Sequence, residues 1–132
     1  MAVSIEDRIT IHELIALHGH LVDTGQLERL SEVFTYDVVY DLTAMSGPTL
    51  HGVQAVSEAA QRLGDRNPVA HLVTNTVVTV DGEHVLARSK FLGVQRDGSV
   101  GSGVYDDELR RTPDGWRIAL RSVSLRREPL HP

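Results

Sequence analysis

The chain has 132 residues, of which 41% are hydrophobic and 23% charged, and it contains no cysteine. That is enough for one domain with a real core, and it excludes disulfides, a thiol nucleophile and thiolate metal sites. The net charge of −5, with scattered basic residues, argues against a nucleic-acid partner, and no apolar run approaches the roughly 18 residues of a membrane span.

The N-terminus lacks a basic and then apolar leader, so no signal peptide is expected and a cytoplasmic location fits. Ser4 is placed to cap a first helix, with Glu6 and Asp7 in its first turn where acids favour the dipole. Ile11, Leu14, Ile15, His18, Leu21 and Val22 recur at helical spacing, which puts His18 on the apolar stripe. Gly19 costs helix stability, and close packing is the reason to keep it. The helix is expected to end at Asp23-Thr24-Gly25.

Leu27, Leu30 and Phe34 suggest a second, short helix. Residues 38–42 read as a strand with Val38, Tyr40 and Leu42 on one face, and residues 43–51 as a loop around Gly47-Pro48. A third helix is expected from about Val53 to Leu63, facing inward through Val56, Ala59, Ala60 and Leu63.

Four strands follow, near 71–80, 84–95, 100–112 and 116–127. They are separated by Asp81-Gly82, Asp97-Gly98 and Asp114-Gly115, the turn chemistry of an antiparallel meander. Strands this long twist and curl, leaving a concave face for helices to cover. The first of them, His71 to Val80, has no Gly, Pro or formal charge. Simple alternation puts His71, Val73, Asn75 and Val77 on one face, with neither face strongly polar, so both are expected to be covered.

Read from the residues alone, His71 is a strand-end histidine or a base, and Asp23 is a helix cap or a carboxylate partner. His18 is a core residue or a donor. Tyr40, Asn75 and Tyr105 are wall residues or hydrogen-bond partners of a substrate. Arg88, Lys90 and Arg121 fall within strands, where cross-strand pairing with Asp106 or Glu108 accounts for them. His18-Gly-His20 puts its rings on different helix faces and His12-Glu13 lacks a second histidine, so no metal site is expected. No serine elbow, phosphate loop or dinucleotide fingerprint occurs.

The order helix, helix, strand, helix, four strands resembles the nuclear transport factor 2-like superfamily, and within it the SnoaL-like (polyketide-cyclase-like) group. The resemblance covers nearly the whole chain. It is carried by Asp23 after the first helix, His71-Leu-Val-Thr-Asn75, Val80-Asp-Gly82, Tyr105-Asp-Asp-Glu-Leu109 and Asp114-Gly-Trp-Arg-Ile118. It implies an α+β cone-shaped barrel, three N-terminal helices packed on a curved, mainly antiparallel sheet around a pocket, and a homodimer through the outer sheet face. It also implies a cofactor-independent dehydratase, isomerase or cyclase acting on a small apolar carbonyl or hydroxyl compound such as a polyketide or steroid-like metabolite. In such enzymes His71 acts as acid or base and Asp23 pairs with it. Many relatives carry Tyr where this chain has His18, which leaves that position's donor role open. The alternatives are a non-catalytic small-ligand or subunit-interaction domain, and a hydrolase using an activated water, for which only Asp23 is a candidate carboxylate.

Overall fold

Helix α1 (Ile5–Asp23) starts with a reciprocal cap: the Ser4 hydroxyl accepts from the Asp7 N–H, and the Asp7 carboxylate accepts from the Ser4 N–H, in the computed structural model, which describes residues 2–125. Its buried stripe is Ile11, Leu14, Ile15, His18 and Leu21, the face set by the spacing of its apolar residues. The second helix is a single 3-10 segment, Leu27–Glu32, and Phe34 already opens strand β1 (Phe34–Asp41). The segment 43–51 is not wholly loop: it holds a 3-10 turn, Thr43–Met45, and a short strand β2, Thr49–His51. Helix α2 spans Val53–Leu63, as its apolar spacing predicts.

The meander is β3 (Ala70–Asp81), β4 (His84–Val94), β5 (Val100–Thr112) and β6 (Gly115–Leu125). The expected continuation of the last strand to Arg127 lies outside the described residues. One mixed sheet runs in the order β2-β1-β6-β5-β4-β3, antiparallel throughout except for the parallel pair β1 and β6. The sheet is curved but open, with β2 and β3 at its edges, so it is a wrapped sheet and not a closed barrel. The core is continuous from α1 (Ile11, Ile15) through β1 (Phe34, Val38) to β6 (Ile118).

Two irregularities overturn simple alternation. The pairing of β3 with β4 shifts between Thr74 and Val77, and Asn75 sits there with φ 57°, a left-handed conformation that asparagine tolerates better than most residues. Before this bulge the odd residues His71 and Val73 face inward. After it the even residues do, so Val78 is buried while Val77 is 61% exposed. A similar shift in the β5–β6 pairing, opposite Ala119, puts Ile118 and then Arg121 and Val123 on the inner side. The expectation that both faces of β3 are covered does not hold within one chain, since Leu72 is also half exposed.

Candidate active site

Asp23 is the last residue of α1 and His71 the second residue of β3, and the two elements meet at Gly19. A Cβ at Gly19 would lie 3.0 Å from the His71 carbonyl oxygen and 3.3 Å from the His71 Cβ. The missing side chain is what lets the helix approach the strand. The Asp23 carboxylate then engages His71 twice. Oδ1 is 2.6 Å from ring Nδ1, and Oδ2 accepts from the backbone N–H at 2.9 Å. A carboxylate only accepts, so Nδ1 carries a proton and donates it to Asp23. Both side chains are largely buried.

His71 lines a cavity of about 250 Å³. The other polar lining groups include His18, Tyr40 and Tyr105. The rest is mainly apolar, with Phe91 and Val123 from the sheet, Val56 and Leu63 from α2, and Leu42 and Met45 from the segment after β1. Asp23 lies behind the His71 ring. It borders a second, more polar hollow of about 350 Å³ with Gln61, Asp65 and Arg96, so the carboxylate is reached from outside and the ring from within.

His18 is 4% exposed, and its ring stands edge-on to His71 (6.2 Å between centroids), Tyr105 (6.0 Å) and Phe34 (5.4 Å). Burial, and then the nearby Arg121 and His71, hold it uncharged well below the usual imidazole range. Burial also pushes the hydroxyls of Tyr40 and Tyr105 up, so both remain neutral donors. Phe91 stacks on Tyr105 at 4.3 Å. It can do so because Gly103 opposite lacks a Cβ, which would sit 2.4 Å from the Phe91 ring.

Beneath these groups lies a pair of fully buried side chains. Arg121 Nε and Nη2 donate to the two oxygens of Asp107 at 2.7 and 2.9 Å, and the guanidinium packs 3.9 Å from the Tyr105 ring centre. Burial disfavours the Arg121 charge, but Asp107 outweighs it and holds the group protonated. The outer-face pairs are separate: Arg88 bonds Asp106, and His84 bonds Glu108.

The structure therefore brings together five of the six residues singled out from the sequence: Asp23, His71, His18, Tyr40 and Tyr105. The sixth, Asn75, is corrected. Its bulge turns it out of the cavity onto the exposed side of β3. The sequence reading missed Arg121 and Asp107 as parts of this site. Arg121 shares the parity of Val123 on β6, and a lone arginine in phase with the buried residues was the available signal. Among the described residues, no group of three or more His, Cys, Asp or Glu is arranged to hold a metal, and no helix is long and apolar enough to cross a membrane.

A curved α+β sheet enclosing a cavity under its helices is the architecture of NTF2-like proteins. It is shared with solved structures of that class, among them an NTF2-like protein with a cystatin-like fold from Novosphingobium aromaticivorans (TM-score 0.71, 31% identity, covering 92% of this chain and 82% of that one). Within this class the chain belongs to the SnoaL-like domain family, which matches residues 3–122. An uncharacterized protein of Mycobacterium tuberculosis is 32% identical over 123 residues, 89% of this chain and 84% of the relative. A second Novosphingobium structure, provisionally named an aromatic ring hydroxylase, has a TM-score of 0.75 at 30% identity over 94% of this chain and 92% of its own.

Proposed function

We propose that the chain is a cofactor-independent enzyme of the lyase or isomerase type. Its substrate is a small, mostly apolar carbonyl or hydroxyl compound, a polyketide-like or steroid-like metabolite. The observation that carries this reading is the His71 ring, bonded to Asp23 through Nδ1 and lining a mainly apolar cavity. His71 takes a proton from a carbon next to an oxygen-bearing centre, and the Asp23 carboxylate stabilises the imidazolium that results. Donors from His18, Tyr40 or Tyr105 stabilise the charge developing on the oxygen, in a site whose walls exclude water. Water loss, a double-bond shift or ring closure each completes the sequence, and dehydration is the favoured outcome on family grounds. The cavity volume limits the substrate to a compact molecule.

The second reading is a non-catalytic small-ligand-binding or subunit-interaction domain that uses the same mainly apolar cavity. The discriminating experiment is proton exchange. The purified protein is incubated with small cyclic ketones in deuterated water, and deuterium uptake next to the carbonyl is followed by NMR. Catalysed uptake that is lost in His71→Ala supports the enzyme. Binding without uptake supports the second reading.

We also propose that two copies pair through the outer sheet face. Leu72 on β3 lies directly opposite Leu92 on β4, and both are exposed. Val104 lies in the next cross-strand row, beside Lys90.

A further inference from the structure

His18 presents a second imidazole to the cavity, and its protonation pattern is set from behind. A guanidinium carries only donors. With Arg121 Nη1 3.2 Å from His18 Nδ1, that ring nitrogen is the acceptor, and the neutral ring carries its proton on Nε2. On His71 the reverse holds at Nδ1, which carries a proton and faces the Asp23 carboxylate. Two imidazoles, each held from behind through Nδ1 but by groups of opposite charge, thus line one cavity with 6.2 Å between ring centroids.

We propose that His18 is a catalytic hydrogen-bond donor that presents Nε2–H to a neutral carbonyl oxygen of the substrate, and that Arg121, clamped by Asp107, is the positioning residue that fixes this tautomer. The proposal deepens the reading of His71 as base and rests on it for the reaction. The carbon-bound proton passes to His71 Nε2. The C–H electron pair becomes the C=C bond of an enolate, and the carbonyl electron pair moves onto oxygen, where His18 Nε2–H meets it. No electrons leave the substrate. The Arg121 charge is already matched by Asp107, so the site selects an uncharged carbonyl over a carboxylate. The groups facing His18 are His71 from β3, Tyr105 from β5, and Arg121 and Phe34 from β6 and β1, and the one cation among them opposes a second positive charge on the ring.

The test is long-range proton–nitrogen NMR on the full chain labelled at histidine, with signals assigned through His18→Gln and His71→Gln. His18 should show an unprotonated Nδ1 and a protonated Nε2, unchanged from about pH 8 to pH 5, where a free imidazole titrates. Arg121→Met combined with Asp107→Leu should release it into a tautomer mixture, with part of the population protonated on Nδ1. Acetophenone should shift the Nε2–H signal, while α-methylstyrene, which has a CH₂ in place of the oxygen, should not. A protonated Nδ1 on His18 at pH 7, or an Nε2–H signal that acetophenone leaves unmoved, overturns the proposal. The base reading fails separately. If Asp23→Asn leaves the His71 ring signals unchanged while His18 behaves as stated, the donor stands and the base does not.

Discussion

Asp23 holds His71 by two bonds at once, one to the ring at 2.6 Å and one to the backbone N–H at 2.9 Å. The carboxylate therefore fixes both where the histidine sits and which of its nitrogens is free. His71→Ala is expected to lower turnover by about 10²–10⁴-fold, the usual worth of a general base, with the fold nearly intact. Asp23→Asn should keep the shape and weaken the reaction. The double variant should be little worse than His71→Ala, because Asp23 acts through the ring. Additive losses, measured as kcat on any ketone that shows exchange, would mean that Asp23 contacts substrate itself.

Gly19→Ala should reverse the ordinary rule for helix interiors. Elsewhere the change gains about 0.5–1 kcal/mol, but here the new methyl meets strand backbone 3.0 Å away. Overpacking of this kind costs about 1–3 kcal/mol, so a net loss of about 1 kcal/mol is expected in urea denaturation. Activity should fall further than stability, since the atoms displaced belong to His71. A variant more stable than wild type would show that the helix can retreat from the strand freely.

Asp107→Ala should be among the most damaging single changes. It leaves the Arg121 charge buried and unmatched, at a cost of about 3–5 kcal/mol. Replacing both partners by apolar residues, Asp107→Leu with Arg121→Met, should restore most of that stability in denaturant titrations. It should not restore turnover, because the cation beside His18 is gone. Recovery of full activity in the double variant would show that the pair serves only the fold.

Asp7 ties the start of α1 to the far end of the sheet. It accepts from Trp116 Nε1 at 3.0 Å and Arg111 at 2.8 Å, besides capping its own helix. The Ser4 backbone N–H first, and then Trp116, lower its pKa from 3.8 to about 2. A group depressed on folding stabilises the native state fully above its unfolded value, and that contribution disappears as pH falls through the folded one. The Tm advantage of wild type over Asp7→Asn should thus be constant near neutrality and shrink between about pH 4 and pH 2. Trp116 is the only tryptophan, so its fluorescence reports the same transition. A Tm gap independent of pH would separate Asp7's role from its charge.

Light scattering at micromolar concentration should give the mass of two chains, and Leu92→Glu should halve it without changing the helix content. The exposed Leu72–Leu92 row is the proposed contact, and a charge placed there would be buried unpaired in such a dimer. A wild-type protein with monomer mass would remove the dimer.

Much of this fold is written locally. The Ser4 cap, the bounds of α2 and the three Asp-Gly turns follow from short-range chemistry, and the structure returns them nearly unchanged. The Asp23 and His71 positions were legible through family resemblance, since residues 48 apart reveal no contact by spacing. Asn75 was misplaced because alternation presumes an unbroken ladder, and a left-handed residue inside a strand leaves little trace in composition. Asp107 was hidden for a related reason. Three acids in a row, Asp106, Asp107 and Glu108, must split between two faces, and only the register shows that the middle one is buried against Arg121. The short strand β2 and the 3-10 segments carry too few residues for a periodic signal.

The bulge at Asn75 divides the labour along β3. Upstream of it, His71 reaches the cavity wall, while Val73 packs against the hydrophobic core. Downstream, Thr76 to Asp81 belong to the packing around Val78 and to the turn into β4. A substitution at His71 thus addresses the cavity, and one at Val78 addresses the hydrophobic interior, although the two lie on one strand. Drift at one end need not be answered at the other. A lineage, or a designer, can alter the cavity wall at one end of the strand while leaving its foundation at the other untouched.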